Sequence, residues 1–333
     1  MQNKLSENKN FNFKNNKNSS LVFSFSKNDL LTELFGVDDK NLVVIEKELK
    51  VKIRYKGNAM VVHGERDKQY LTKRVLEIAY NRLLKGQNIE FRDIRGILNV
   101  VMSEQKKGSN NKNIFNNSIT IRNRVINPRS VQQQNYINCI ITSDIIFALG
   151  PAGTGKTYIA IALAVSLLLK GKVDKIILSR PFVEAGERLG FLPGDLKEKA
   201  DPYLRPLYDA LFNVLPADQV LKKMDNKEIE IAPLAFMRGR TLNNVFAILD
   251  EGQNATSGQM KMFLTRLGEN SKMIITGDPS QIDLPKTITS GLTHASGILK
   301  KLNGVSVINF SEHDVERHSL VKKIVSAYNG SEN

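Results

Sequence analysis

The sequence predicts an α/β protein in which a parallel β-sheet with helices on both faces is preceded by a small α+β domain. From residue 119 onward, short continuous apolar runs alternate with segments of helical apolar spacing. This alternation is typical of a parallel sheet that is buried on both faces. Before residue 101 the runs are shorter and follow a different order, and a polar linker over 101–118 separates the two regions.

The first region has the pattern of a small α+β domain over residues 21–100, behind a tail of residues 1–20. Residues 1–18 are rich in Asn and Lys and are predicted to be disordered. The pattern that follows predicts the order β-α-α-β-β-α, with a turn at Lys56-Gly57-Asn58, a long amphipathic helix over Asp67–Leu84 and one further helix over 88–103.

This order of elements is that of a KH domain, a module that clamps nucleic acid with a GXXG loop between its first two helices. The corresponding loop reads FGVDDKN, which lacks the second glycine and carries two acids. A KH-like nucleic-acid binder and a purely structural α+β domain therefore both remain open.

The larger region, residues 119–333, contains six apolar runs that we predict to be strands. Helical segments such as Thr157–Leu169 and Gln259–Leu267 lie between them. The predicted strands are Ile145–Leu149, Lys175–Ser179, Ile229–Ile231, Val245–Leu249, Met273–Thr276 and Val305–Phe310.

Charge and composition narrow the class of partner and compartment. The chain has a net charge of +14, of which residues 1–125 carry +11. A polyanionic partner such as RNA is therefore expected to bind to the first third of the chain. Cys139 is the only cysteine, no run approaches a membrane span, and the first 20 residues lack a signal-peptide core. We therefore expect a soluble cytoplasmic protein.

The strongest chemical signal is a phosphate-binding loop between a predicted strand and a predicted helix. The sequence GPAGTGKT fits G-x-x-x-x-G-K-[ST], whose glycines let backbone N–H groups surround phosphate oxygens at a helix N-terminus. Lys156 should reach the β- and γ-phosphates of ATP, and Thr157 should bind Mg²⁺ through its hydroxyl. The predicted nucleotide-binding residues are Gly150, Pro151, Ala152, Gly153, Thr154, Gly155, Lys156, Thr157 and Tyr158.

A second signal is the acid pair at the end of the apolar strand in VFAILDE. Asp250 is placed to hold Mg²⁺, and Glu251 is placed to act as general base on the attacking water. The alternative is an acidic turn that only caps a core strand. The strand Lys175–Ser179 lies between the two motifs in sequence, which fits ATPases with a catalytic glutamate and argues against GTPases and small-molecule kinases.

A third signal is MIITGDPSQ, where Gln281 follows another apolar strand and could sense the γ-phosphate. A simple turn also explains Gly277-Asp278-Pro279-Ser280 without any function.

Taken together, these motifs resemble the PhoH-like ATPase family, whose P-loop core is similar to that of RecA-like superfamily 1 helicases. The resemblance runs from about Ile119 to Tyr328. It is carried by the P-loop and by SRPFVEAGERLGFLPGDL, DPYLRPLYDAL, APLAFMRGRTLN, LDEGQN, TGDPSQIDLP and DVERHSLVKKIVSAY.

The resemblance implies further roles. Gln133 matches the glutamine that reads adenine in helicase-like enzymes, in a register that its neighbours leave open by one residue. An arginine finger is implied, for which Arg317 is preferred, Arg180 comes next, and Arg238 and Arg240 are further candidates. A homo-oligomeric ring such as a hexamer is also implied.

The leading functional hypothesis is a Mg²⁺-dependent ATPase coupled to RNA binding or remodelling. The alternative is an ATP-dependent switch or assembly factor for a protein partner. A small-molecule kinase is disfavoured by Glu251 and by the lack of an evident acceptor pocket.

Overall fold

The computed structural model describes residues 11–16, 20–107, 118–122, 124–182, 196–285, 287–315 and 324. The chain divides into two units. The described residues of the first unit lie within 11–107 and at 127–131, and those of the second lie within 118–126 and from 132 onward. Within this described part of the chain, no helix is both long and apolar enough to cross a membrane.

The first unit is a four-stranded antiparallel sheet with helices on one face. The strand order is β1-β2-β4-β3, so β3 lies at one edge. Its elements are β1 (Phe11–Asn16), β2 (Ser20–Phe25), α1 (Leu31–Phe35), α2 (Lys40–Leu49), β3 (Lys52–Lys56), β4 (Ala59–His63), α3 (Arg66–Leu84) and α4 (Phe91–Lys107).

Alternation along the strands decides which side chains enter the core of this unit. Leu21, Phe23 and Phe25 of β2 are buried together with Met60 and Val62 of β4, because successive side chains of a strand point to opposite faces. The apolar stripe of α3 packs on them, and the remaining face of the sheet carries no helix from this cluster. The order of elements from β2 to α3 is the one that the sequence pattern predicted.

Two expectations for this region were wrong. Phe11–Asn16 forms a strand that pairs with β2, within the segment expected to be disordered; the backbone hydrogen bonds to β2 stabilise it where its composition offers little to bury. Helix α4 continues to Lys107 into the expected linker, because Glu104, Gln105, Lys106 and Lys107 all favour helix.

The second unit contains the predicted parallel sheet, which is confirmed. Six strands run in the order β12-β7-β11-β10-β8-β9, and every neighbouring pair is parallel. The elements are a β5 (Ile119–Ile121) and β6 (Arg124–Ile126) hairpin, α5 (Val131–Thr142), β7 (Ile145–Leu149), α6 (Lys156–Leu169), β8 (Lys175–Arg180), α7 (Leu196–Phe212), α8 (Ala217–Asp225), β9 (Ile229–Pro233), β10 (Val245–Leu249), α9 (Ser257–Leu264), β11 (Lys272–Gly277), α10 (Gly291–Leu299) and β12 (Val305–Asn309).

Both faces of this sheet are buried. Alternate residues of β7, β8, β10 and β11 belong to two separate apolar clusters, so that Phe246 and Ile248 join α6 on one face while Ala247 and Leu249 join α9 and α10 on the other. Continuous apolar strands are therefore required, as the sequence indicated. Helix α9 begins at Ser257 and ends at Leu264, earlier than the predicted Leu267.

Candidate active site

Four neighbouring strands bring their carboxyl ends together at one edge of the large sheet. In the order β7, β11, β10, β8, these ends lead into Gly150, Asp278 and Asp250, and β8 itself ends at Arg180. Ligands of open α/β sheets bind outside the carboxyl ends of the strands. Residues that are distant in sequence are therefore adjacent at this edge.

The loop after β7 has the backbone conformation of a phosphate-binding loop. Gly150 has φ 137°, and a Cβ at this position would overlap the carbonyl oxygen of Phe310. Gly155 has φ 84° and immediately precedes α6, which begins at Lys156. Glycine is required at Gly150, where φ is positive and another backbone approaches closely, and it is favoured at Gly155, where φ is positive and the Gln133 side chain lies alongside.

Lys156 is largely buried against the loop that precedes it. Its Nζ donates hydrogen bonds to the carbonyl oxygens of Gly150 at 2.6 Å and Pro151 at 2.8 Å. The ammonium group is thus held beside the N-terminus of α6, where free backbone N–H groups and the helix dipole favour an anion.

Asp250 connects the phosphate-binding loop to two strands. Its Oδ1 accepts a hydrogen bond from Thr157 Oγ1 at 2.6 Å and another from Thr276 Oγ1 at 2.7 Å. A hydroxyl that donates its proton to Asp250 keeps its oxygen lone pairs, so Thr157 can bind a cation while this hydrogen bond remains. Carboxylate and hydroxyl oxygens are the ligands that Mg²⁺ prefers, and these residues fit that ion.

Glu251 follows directly, in the left-handed region at φ 52° and ψ 39°. Arg180 NH2 lies 3.0 Å from Glu251 Oε1, and Gln253 Nε2 donates to Glu251 Oε2 at 2.6 Å. Both carboxylate oxygens therefore have a partner, one charged and one neutral. Non-glycine residues in this backbone region cluster at functional sites, where the surrounding structure maintains them.

Gln253 is the residue that links Glu251 to the loop after β11. The Gln253 Nε2 donates to Glu251, and its Oε1 accepts from the backbone N–H of Asp278 at 3.1 Å. The main-chain carbonyl oxygen of Gln253 accepts from Ser290 Oγ at 2.8 Å. The side chain is 1% exposed. A buried amide with donor and acceptor both engaged has a fixed orientation.

The loop after β11 is an Asp-anchored turn. Asp278 Oδ1 accepts from the backbone N–H and the hydroxyl of Ser280, and Asp278 Oδ2 accepts from Gln281 Nε2 at 2.9 Å. The turn expected from the sequence is present, and the exposed side chain of Gln281 is held against it at the same sheet edge.

Helix α5 supports the phosphate-binding loop from behind. Gln133 is 5% exposed, and its Nε2 donates to the carbonyl oxygen of Thr154 at 3.1 Å. Its neighbours bond elsewhere, Gln132 to the carbonyl of Asn309 and Gln134 to Asn138. Of these three glutamines, Gln133 is the one whose side chain bonds to the loop. One turn further along α5, burial raises the pKa of the Tyr136 phenol well above its usual range, and the charge of Asp250 adds to this effect.

The four candidate arginines occupy different places. Arg180 contacts Glu251, whereas Arg240 forms a two-pronged ion pair with Glu230 of β9 at 2.7 and 2.9 Å, which lowers the pKa of that carboxyl. Because β9 is four strands from β7 in the sheet order, about 19 Å at the usual strand spacing, Arg240 is remote from the phosphate loop of its own chain. Arg238 is exposed beside it. Arg317 and residues 183–195, which make up most of one family motif, lie outside the described residues.

Three contributors to the site were missed from the sequence. Thr276 and Gln253 bond to the acid pair, and Asn254 makes a reciprocal pair of hydrogen bonds with Asp283 that fixes the following loop. The signal available was the run of polar residues after each strand, in DEGQN and TGDPSQ. The hydrogen bonds between these two segments form because β11 lies between β7 and β10 in the sheet.

Comparisons with known proteins agree with this arrangement. The chain matches the family described as PhoH-like protein over residues 125–329. It is 48% identical over 302 residues to the PhoH-like protein of Bacillus subtilis (strain 168), covering 90% of this chain and 94% of that protein.

It is 44% identical over 304 residues to the PhoH-like protein of Mycobacterium tuberculosis (strain ATCC 25618 / H37Rv), covering 90% and 85%. Among solved structures, the Sulfolobus solfataricus SWI2/SNF2 ATPase core in complex with dsDNA aligns with 54% of this chain and 43% of its own, with a TM-score of 0.30 and 12% identity. That likeness is too slight to bear on function. A nucleoside-triphosphate site of the P-loop type, with sequence matches of this extent, establishes that the chain belongs to the PhoH-like protein family.

Proposed function

We propose that this chain is a Mg²⁺-dependent ATPase whose catalytic cycle is coupled to RNA binding. The observation that carries the ATPase assignment is the 2.6 Å hydrogen bond from Thr157 of the phosphate loop to Asp250 after β10. This hydrogen bond joins the two motifs that we assign to a phosphoryl-transfer site.

Each side chain then has a role that its surroundings support. Lys156 and the N-terminus of α6 would hold the β- and γ-phosphates, and Gln133 would keep the loop in place or reach the adenine. Thr157 and Asp250 would hold Mg²⁺, which neutralises charge on the phosphates when it is bound. Gln281 would respond to the γ-phosphate from the loop after β11.

Glu251 would act as general base on the attacking water. An ionised carboxylate can accept a proton from water only if an oxygen is accessible, and the Glu251 side chain is 36% exposed. Arg180 holds this carboxylate and would also meet charge that develops on the transferred phosphoryl group. Arg180 is therefore our first candidate for the arginine finger within the described residues.

RNA coupling rests on different observations. The first third of the chain carries most of the net positive charge, and the segment of its first unit from β2 to α3 has the element order of a KH domain. Coupling requires only that ATP binding and RNA binding favour the same conformation of the chain. The described residues contain one P-loop core, so we further propose that strand separation needs a homo-oligomer.

The test is phosphate release by the purified chain with ATP and Mg²⁺, with and without single-stranded RNA. A chelator of divalent cations and Glu251→Gln serve as blanks. Stimulation by RNA that weakens as salt is added is the expected result, because phosphate contacts release counterions. Turnover that RNA leaves unchanged would overturn the coupling and favour a switch acting on a protein partner, whereas absence of any turnover would overturn the ATPase assignment.

A further inference from the structure

Three strands of the small sheet, β2, β4 and β3, contribute nine side chains to the face that points away from its helices, and we call these nine side chains the platform. Alternation places every second residue of β2, β4 and β3 on this face, and the register aligns them in three rows across the strands. The rows are Ser20–His63–Lys52, Val22–Val61–Arg54 and Ser24–Ala59–Lys56.

Positive charge is concentrated along one side of this platform. Lys52, Arg54 and Lys56 of the edge strand β3 are all exposed. Within the described part of the chain, none of the three has an ion-pair partner. At the end of β3 where Lys52 faces His63, a concavity of about 520 Å³ is lined by Lys50, Val51, Lys52, Arg54, His63 and Gly64, with no acid among them.

The loop that would clamp phosphates in a KH domain has the opposite character here. Asp38 is 81% exposed, and its partner Lys40 lies 3.7 Å away. Asp39 accepts a hydrogen bond from Tyr55 at 2.9 Å on the other face of β3. Two carboxylates in this loop repel a phosphate, so an RNA backbone is favoured on the open face and disfavoured at the loop between α1 and α2.

We infer that this open face, with Lys52, Arg54 and Lys56 as its contacts, binds the phosphodiester backbone of single-stranded RNA without reading its bases. The inference rests on the proposed RNA coupling and names the surface that carries it. Cations at every second strand residue are about 6.7 Å apart, a spacing suited to successive phosphates of an extended strand. None of the nine platform residues is Phe, Tyr or Trp, so the face lacks the large aromatic rings on which successive bases stack, and the expected contact is with the backbone.

Lysines on an edge strand also deter pairing between sheet edges of different molecules. If that is their role, removing these lysines should cause aggregation and should cause no specific loss of RNA binding. The two roles therefore differ in a measurable way.

The experiment measures binding of fluorescent oligo(U) and oligo(A) to the full chain by anisotropy, without nucleotide, over a series of salt concentrations. The test variant is Lys52→Ala/Arg54→Ala/Lys56→Ala. The matched control is Lys47→Ala/Lys85→Ala/Arg92→Ala, which removes the same residue types from exposed positions on α2, at the end of α3 and on α4. Sedimentation and circular dichroism establish that each variant is folded and monodisperse.

We expect the test variant to flatten the slope of log Kd against log salt by about 2, since each single-strand phosphate contact contributes about 0.7. When salt is raised from about 50 to about 200 mM, the unmodified chain should therefore lose roughly 18-fold more of its RNA affinity than the test variant does. The control should keep the original slope, and both homopolymers should behave alike.

Equal slopes in the test and control variants would overturn the inference and leave RNA coupling intact. Strong preference for one homopolymer that depends on the three cations would also overturn it. Absence of RNA binding by the unmodified chain would instead overturn the coupling itself. Loss of binding to phosphatidylserine vesicles in the test variant, with RNA binding unchanged, would assign the surface to a membrane.

Discussion

The guanidinium of Arg180 lies 3.0 Å from the carboxylate of Glu251, the candidate general base. This ion pair joins the carboxyl end of β8 to the residues that follow β10. Arg180 NH1 also donates to the carbonyl oxygen of Tyr203 on α7 at 3.3 Å. The position of Glu251 therefore depends on an arginine from a neighbouring strand as well as on its own backbone.

Replacing Arg180 with Ala should separate activity from stability. The pair is partly exposed, so its loss should change the free energy of unfolding by less than about 1 kcal/mol. We expect kcat for ATP hydrolysis to fall at least about tenfold, because charge on the transferred phosphoryl group loses its partner. Steady-state kinetics and urea unfolding measure the two effects, and an unchanged kcat would show that the contact is incidental.

Glu251→Gln should retain ATP and hydrolyse it slowly. A neutral amide cannot accept the proton of the attacking water, and the loss of a general base typically lowers rates about 10²–10⁴-fold. Equilibrium binding of a fluorescent ATP analogue should stay within a few-fold of the original value. If this variant loses binding and keeps its turnover rate, Glu251 is a structural cap and the base lies elsewhere.

Lys156→Ala should abolish nucleotide binding. The substitution removes both the cation for the phosphates and the hydrogen bonds to the carbonyls of Gly150 and Pro151. Calorimetric titration with ATP is the measurement. Lys170→Ala, at the exposed far end of the same helix, is the matched control and should bind normally; full binding by Lys156→Ala would refute the phosphate-loop assignment.

Gln253→Leu should lower both kcat and stability. The variant leaves the buried N–H of Asp278 without its acceptor, which costs about 1–3 kcal/mol, and it frees one oxygen of Glu251. Ser290→Ala is the control, since it removes a hydrogen bond to the backbone of the same residue and leaves the Glu251 contact in place. If Ser290→Ala reduces kcat as strongly as Gln253→Leu does, the amide contact has no positioning role.

The Arg240–Glu230 pair predicts a pH dependence of stability. The hydrogen bond from Arg240 lowers the pKa of Glu230 below its ordinary value of 4.5. The stabilisation is therefore complete above pH 4.5 and is lost as the pH falls through the lower folded-state pKa. Glu230→Gln should be less stable than the unmodified chain at pH 7, by no more than about 1 kcal/mol because the pair is partly exposed. Urea unfolding at neutral and acid pH should show this gap closing below pH 4.5; a gap independent of pH would mean that the Glu230 charge is not its cause.

Local pattern was sufficient for much of the fold. Ile145–Leu149 and Val245–Leu249 were predicted to the residue, because each is a short apolar run bounded by polar or turn residues. The strand Phe11–Asn16 was missed because its order comes from pairing with β2 and its own composition gives no indication of it.

The candidate site could be predicted only in part, because some of its contacts also depend on how the strands are ordered in the sheet. The phosphate loop and the acid pair are contiguous motifs, whereas the contacts of Gln253 and Thr276 arise because β11 lies between β7 and β10 in space although it follows both in sequence. For the arginine finger, the sequence favoured Arg317, which lies outside the described residues, over Arg180, Arg238 and Arg240. The sheet order separates two of them. Arg180 ends β8, which lies beside β10, whereas Arg240 pairs with Glu230 on the edge strand β9.

Helix α10 begins where the network around Gln253 ends. Ser290 precedes it and donates to the Gln253 carbonyl, and Gly291 N–H donates to the carbonyl of Ala255 at 2.7 Å. A change in the position of Gln253 would therefore reach α10, and we expect a reporter dye at Ile298, which is 61% exposed near the far end, to register the nucleotide state optically.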